Sequence, residues 1–159
     1  MHAIVFAPNQ IDRLLLAMAA DAADADLSLD FVVDRAAAID QLTDSLSFGA
    51  PVDLVIILSD GDAAGLEIVS EIDRDPILWP TPTFVMSARA NDDERVLAYA
   101  RGADWYEQAP HRFSTAVAML DQLPDRVGAI VELVGGPVAV DLAAGDLVEE
   151  IEAFLLKSP

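Results

Sequence analysis

The chain has 159 residues, 53% of them hydrophobic, no cysteine, and a formal net charge of −19. The length suits one domain with room for an extension, and the missing cysteine excludes disulfides, thiolate metal sites and cysteine nucleophiles. Twenty of the 28 acids are Asp and Lys157 is the only lysine, a surface that repels polyanions, so neither nucleic acid nor an anionic membrane is an expected partner.

The elements follow from the period of the apolar residues. "AIVFA" (Ala3–Ala7) reads as a first strand and "QIDRLLLAMAADAA" as a first helix. "LSLDFVV" (Leu27–Val33) alternates as a second strand and "RAAAIDQLTDSL" is a second helix. "DLVIIL" (Asp53–Leu58) is apolar on both faces, as in the middle of a parallel sheet. "AGLEIVSEIDRD" is a third helix, closed before Pro76. "TPTFVMS" is a fourth strand, and Asn91 with Glu94 three residues on forms a capping-box pattern for a fourth helix that Gly102 stops. "ADWYEQ" is a fifth strand and "HRFSTAVAMLDQL" a fifth helix.

This alternation predicts an α/β fold with a five-stranded, doubly wound parallel sheet over residues 1–123. The functional crevice is expected beyond the carboxyl ends of the strands. After Leu123-Pro124 the alternation stops, and residues 124–159 are expected to form a C-terminal extension. In it "RVGAIVELV" suits helix or strand, Gly135-Gly136-Pro137 a turn, and "DLVEEIEAFLL" (Asp146–Leu156) a helix. That last helix has Asp146 and Glu149 at capping-box spacing and an apolar face of Leu147, Val148, Ile151, Phe154 and Leu155. The face serves intradomain packing, a homodimer, or a link to a further domain.

No stretch has the roughly 20 apolar residues of a membrane span. The start lacks a basic segment and a cleavage site, so no secretory signal is expected and the cytoplasm is the default location. The acids are spread along the chain, which fits adaptation to high salt; complementing a basic partner is the other reading.

The stretch "DLVIIL…GLEIV…IDRDP", followed by "TPTFVMSARANDDERVLAYARGADWYEQAP", resembles the receiver domains of two-component response regulators. Ser87-Ala88-Arg89-Ala90, Gly102-Ala103-Asp104, Tyr106 and Pro110 fall in the family's order and spacing. The resemblance covers about residues 1–123 and implies the strand order 2-1-3-4-5. It also implies where phosphotransfer groups belong: an acceptor Asp ending the third strand, two metal-holding acids after the first, a hydroxyl after the fourth, and a lysine after the fifth.

Position by position, the chemistry is missing. The acid pair falls at Ala7 and Pro8, and the lysine at Ala109. The acceptor falls at Ile57 counting back from Gly65, or at Leu58 counting forward from Asp53. Only the hydroxyl is kept, as Ser87, where a loop cap is the plainer role. Asp60 is an alternative phosphoacceptor if Ser59 and Asp60 both extend the third strand, but without cations its carboxylate repels a phosphoryl donor. Asp60 and Asp62 lack the ligand spacing of a calcium loop, so the expected role is a turn in which one of them caps the third helix.

No metal, cofactor or catalytic residue is expected. His2 and His111 belong to no triad pattern, and Gly135-Gly136 opens no phosphate-binding helix. The chain is therefore expected to be a non-enzymatic pseudo-receiver, a signalling module with a protein partner or a second copy of itself. By resemblance its interaction face is formed by the fourth helix, fifth strand and fifth helix: Glu94, Leu97, Ala98, Arg101, Trp105, Tyr106, His111, Phe113 and Val117. A small-ligand sensor is the remaining alternative, if the old crevice holds a cavity. The resemblance also implies a cis Ala109-Pro110 bond, which would hold the loop after the fifth strand in a tight turn.

Overall fold

The structure, a computed structural model, describes residues 1–49 and 51–135. Five strands and five helices alternate: β1 (His2–Phe6), α1 (Gln10–Ala22), β2 (Ser28–Val32), α2 (Arg35–Ser47), β3 (Leu54–Ser59), α3 (Ala63–Arg74), β4 (Thr83–Ser87), α4 (Asp92–Ala100), β5 (Trp105–Gln108) and α5 (Phe113–Gly135). All strand pairs are parallel and the order is 2-1-3-4-5. The expected fold is thus present. The expected turn at Gly135-Gly136-Pro137 and helix Asp146–Leu156 fall wholly or mostly outside the described residues.

Alternate residues of each strand face two separate cores. Ile4, Phe6, Val55, Ile57, Val85 and Tyr106 pack beneath α2, α3 and α4. Ala3, Val5, Ala7, Ile56, Leu58, Phe84 and Met86 pack beneath α1 and α5. β3 is buried at all six positions, which is why its sequence shows a continuous apolar run rather than an alternation.

Side-chain caps start the helices. Asn9, Asp34, Asp62 and Asn91 cap α1 to α4, each accepting from backbone N–H groups of the first turn. Gly65 brings α3 close to the sheet, since a Cβ there would lie 2.8 Å from Ile57 Cγ2.

Three expectations change. β3 runs to Ser59 rather than ending at Leu58, because Ser59 pairs with Ser87 of β4. "RVGAIVELV" is helical, and α5 passes through Pro124 to Gly135. Pro124 forgoes an N–H bond to the preceding turn, but Leu120, Leu123 and Val127 continue one buried stripe on that helix, and this burial outweighs the local break. The described residues contain no cis peptide, so the bond before Pro110 is trans. Trans is favoured intrinsically by about 0.5–1 kcal/mol, and the loop is already tied by the Ala109 N–H, which donates to the Ser87 carbonyl at 2.8 Å.

Candidate functional site

The strand ends bring together the residues that sequence reading singled out, but most are apolar and sealed. Ala7, Ile57 and Leu58 are buried, Ala109 packs at the margin of the α1/α5 core, and Pro8 is exposed. Ile57 and Leu58 face opposite sides of the sheet, so they do not share one crevice. At the end of β1, the Arg13 guanidinium donates to the carbonyls of Ala7 (2.7 Å) and Pro8 (2.9 Å), which keeps those oxygens occupied. Asp60 lies beyond the strand, exposed, and accepts from the Asp62 N–H at 3.4 Å across a bend in which Gly61 has a φ of +98°. Asp62 caps α3 through the Ala64 N–H at 3.2 Å.

Polar groups converge instead on the α4 side. Register sets Ser59, the last residue of β3, opposite Ser87. Both are buried, at 3% and 0% exposure, so their hydroxyls need partners within the protein. Ser59 Oγ donates to Glu94 Oε2 at 3.2 Å and accepts from the Gly61 N–H. Tyr106 is turned inward, 8% exposed, and its Oη donates to Glu94 Oε1 at 2.6 Å. Tyr106 also shares a hydrogen bond with Ser87, and its Oη accepts from the Asn91 N–H at 3.3 Å. Burial holds the Tyr106 phenol above its ordinary pKa, and the Glu94 carboxylate adds to this. Ser87 Oγ accepts from the Arg89 N–H, the loop-capping role expected of it.

Ala109 offers no charge, but Gln108 before it spans the same loops. Its Oε1 accepts from the Ala90 N–H at 3.0 Å, its Nε2 donates to the Ala88 carbonyl at 2.8 Å, and that nitrogen lies 2.9 Å from His111 Nε2. A neutral amide thus joins the β4–α4 and β5–α5 loops.

The face expected for interaction is exposed only in part. Leu97 and Phe113 are exposed at 43% and 46%, as is the neighbouring Val96; His111 is exposed and Arg101 partly so. Tyr106 is a correction: it lies beneath the face rather than on it, because its hydroxyl has buried partners. Trp105 packs on the α1/α5 side, its ring 6.3 Å from that of Phe84 and 5.0 Å below the Arg126 guanidinium. Arg126 and the Trp105 indole N–H both donate to Glu107 Oε2, at 2.8 and 3.1 Å. A groove of about 220 Å³ opens beside them, lined by Glu107, Gln108, Pro110, Met119 and Arg126 among others; Ala7, Ile57, Leu58 and Ser87 do not line it. Among the described residues no group of three or more His, Asp or Glu is placed to hold a metal ion.

At the opposite end of β4 and β5, Asp104 accepts from the Thr83 N–H at 2.8 Å. Burial pushes its carboxyl above the ordinary 3.8; the Thr83 bond opposes the shift and Asp73 adds to it. The folded protein therefore holds this proton more tightly than the unfolded chain. Its contribution favours the fold below the ordinary value and is withdrawn as pH rises through the raised one. Asp104→Asn keeps an acceptor for Thr83 and removes the charge. We expect a higher urea midpoint than wild type near neutral pH, and a difference that vanishes at about pH 3.

Sequence reading missed Ser59, Gln108 and Arg13, and gave Glu94 a capping box and a place on the interaction face. Asn91 does accept from the Glu94 N–H at 2.9 Å, but the reciprocal half is diverted: the Asn91 N–H goes to Tyr106 and the Glu94 carboxylate to β3 and β5. The available signal was Ser59, a polar residue at the end of an apolar run beside a position already under scrutiny.

Sheet order, helix layers and a polar cluster at the strand ends make this a CheY-like, flavodoxin-type fold, the fold of response-regulator receiver domains. The phosphorylated cyanobacterial phytochrome response regulator RcpA is similar at 20% identity and a TM-score of 0.66, over 78% of this chain and 91% of that one. A response regulator in red-light signalling of R. palustris is similar at 19% identity and 0.65, over 77% and 90%. An orphan response regulator of H. pylori is similar at 20% and 0.57, over 80% and 96%. No family model and no curated protein matches the chain. At these identities the likeness is one of fold.

Proposed function

We propose that this chain is a receiver-like signalling module that works without phosphorylation, by contact with a protein partner or a second copy of itself. One observation carries the reading: where the receiver resemblance would put two metal-holding acids and a lysine the chain has Ala7, Pro8 and Ala109, and the strand interior holds buried Ile57 and Leu58. Without those cations an approaching phosphoryl group meets uncompensated carboxylates in a strongly acidic protein.

Charge distribution supports the region of α4, β5 and α5 as the contact face. Residues 1–88 carry 15 acids against three arginines, whereas residues 89–126 carry seven acids against five arginines. Two copies, or this chain and another acidic protein, approach with least repulsion through the near-neutral region. Exposed Val96, Leu97 and Phe113 supply apolar area there. The division into residues 1–123 and a C-terminal extension, the cytoplasmic location and the high-salt adaptation belong to the same proposal. No helix among the described residues is long and apolar enough to cross a membrane.

Incubation of the purified chain with acetyl phosphate and Mg²⁺ is expected to leave its mass unchanged, and beryllofluoride to leave its amide spectrum unchanged. A phospho-adduct that disappears in Asp60→Asn would overturn the proposal in favour of a receiver phosphorylated at Asp60.

A further inference from the structure

α4 is thinly attached to the sheet. Ala98 is its one buried residue, whereas α3 buries six and α1 and α2 two each. Apolar burial therefore does little to set where α4 lies. What does tie its first turn down is polar. The Glu94 carboxylate reaches the end of β3 through Ser59 and reaches β5 through Tyr106, while the Asn91 N–H returns to the same Tyr106 oxygen.

We propose that Glu94, Tyr106 and Ser59 form a clasp that sets the position of α4, and with it the contact face, so that the chain itself supplies the anion that orders its strand ends. This rests on the phosphorylation-independent reading and names how that face is held. Both carboxylate oxygens are used, and the hydrogen bonds are charge-assisted, the stronger kind. The carboxylate also lies in the first turn of a helix, where free N–H groups favour negative charge. Removing it leaves two hydroxyls of buried residues, Ser59 Oγ and Tyr106 Oη, without their acceptor. Their easiest relief is for Tyr106 to swing toward water and the first turn of α4 to lift, while the last turn stays held by buried Ala98 and by Tyr99, whose Oη accepts from the Tyr106 N–H at 3.2 Å. Glu94 thus holds the face in the clasped form.

Hydrogen–deuterium exchange of the full chain tests this. In Glu94→Ala, amides of residues 92–100 and 105–108 are expected to exchange about tenfold faster than in wild type, with α1, α2 and α3 unchanged. Tyr106→Phe should accelerate the same segments, and the double variant should exceed Glu94→Ala by less than the Tyr106→Phe effect alone, because the groups share one clasp. Glu94→Gln, which keeps the side-chain shape, decides the matter if the alanine variant fails to fold. Exchange of α4 within twofold of wild type in the folded variants, or acceleration spread evenly over all five helices, overturns the clasp. Mass measurement on the same samples separates the two readings. A phospho-adduct on wild type refutes phosphorylation independence and not the clasp, and unmoved α4 exchange refutes the clasp and not phosphorylation independence.

Discussion

Ile57→Asp, which puts an aspartate at one of the positions where the receiver resemblance would place an acceptor, is expected to unfold the protein near neutral pH rather than arm it. Ile57 is fully buried among Phe6, Leu66 and Val85, with its Cγ2 against Gly65. The change forfeits about 1.5–3 kcal/mol of apolar burial. It also places a carboxylate in an apolar core, where an unpaired charge costs several kcal/mol more or stays protonated. Against a total stability of about 5–15 kcal/mol, a loss of at least about 4 kcal/mol takes the protein to its margin. Because the buried carboxyl would hold its proton, stability should partly return as pH falls toward its raised pKa. Urea melts at several pH values measure this. A variant as stable as wild type, or one that gains Mg²⁺-dependent phosphorylation, would show that position 57 is still an open crevice.

Gly102→Ala is expected to cost about 2–4 kcal/mol, combining a left-handed backbone penalty with a steric one. Gly102 has a φ of +111°, which L-residues adopt only with strain, and a Cβ there would lie 2.5 Å from the carboxyl carbon of Asp73 and 2.6 Å from its Cβ. The second contact matters more. The Asp73 carboxyl can rotate away, but its Cβ moves only with the backbone of α3. The turn fixes where β5 begins, so the strain passes to Tyr106 four residues on. A fall in the urea midpoint with an unchanged m-value is the expected signature. A midpoint equal to that of wild type would mean that the α3–β5 junction has slack.

What the side chains at positions 7, 8 and 109 can do was legible because it depends on residue type. Ala7, Pro8 and Ala109 cannot bind a metal or supply a charge whatever their surroundings. The acceptor position was harder. Counting from Asp53 or from Gly65 gave different answers, since loop length is invisible until strands pair; the Ser59–Ser87 pairing brought in a third residue. Pro124 shows the limit of local rules: it predicts a break, and α5 continues because Leu123 and Val127 have α1 to pack against.

By itself the sequence determined the α/β class, the number and order of elements, and their boundaries to within two residues for the strands. Each of these follows from hydrophobic period, capping residues or side-chain chemistry, all local properties. Only the tertiary structure decided the partners of Glu94. Its spacing from Asn91 satisfies a capping box, and no local rule says that a tyrosine twelve residues on and a serine 35 residues back compete for its carboxylate and win. That outcome depends on β3, β4 and β5 lying side by side with α4 across them, which buries two hydroxyls where Glu94 is the acceptor within reach. Buried polar groups take the partners the fold brings to them, and those partners are far apart in the chain.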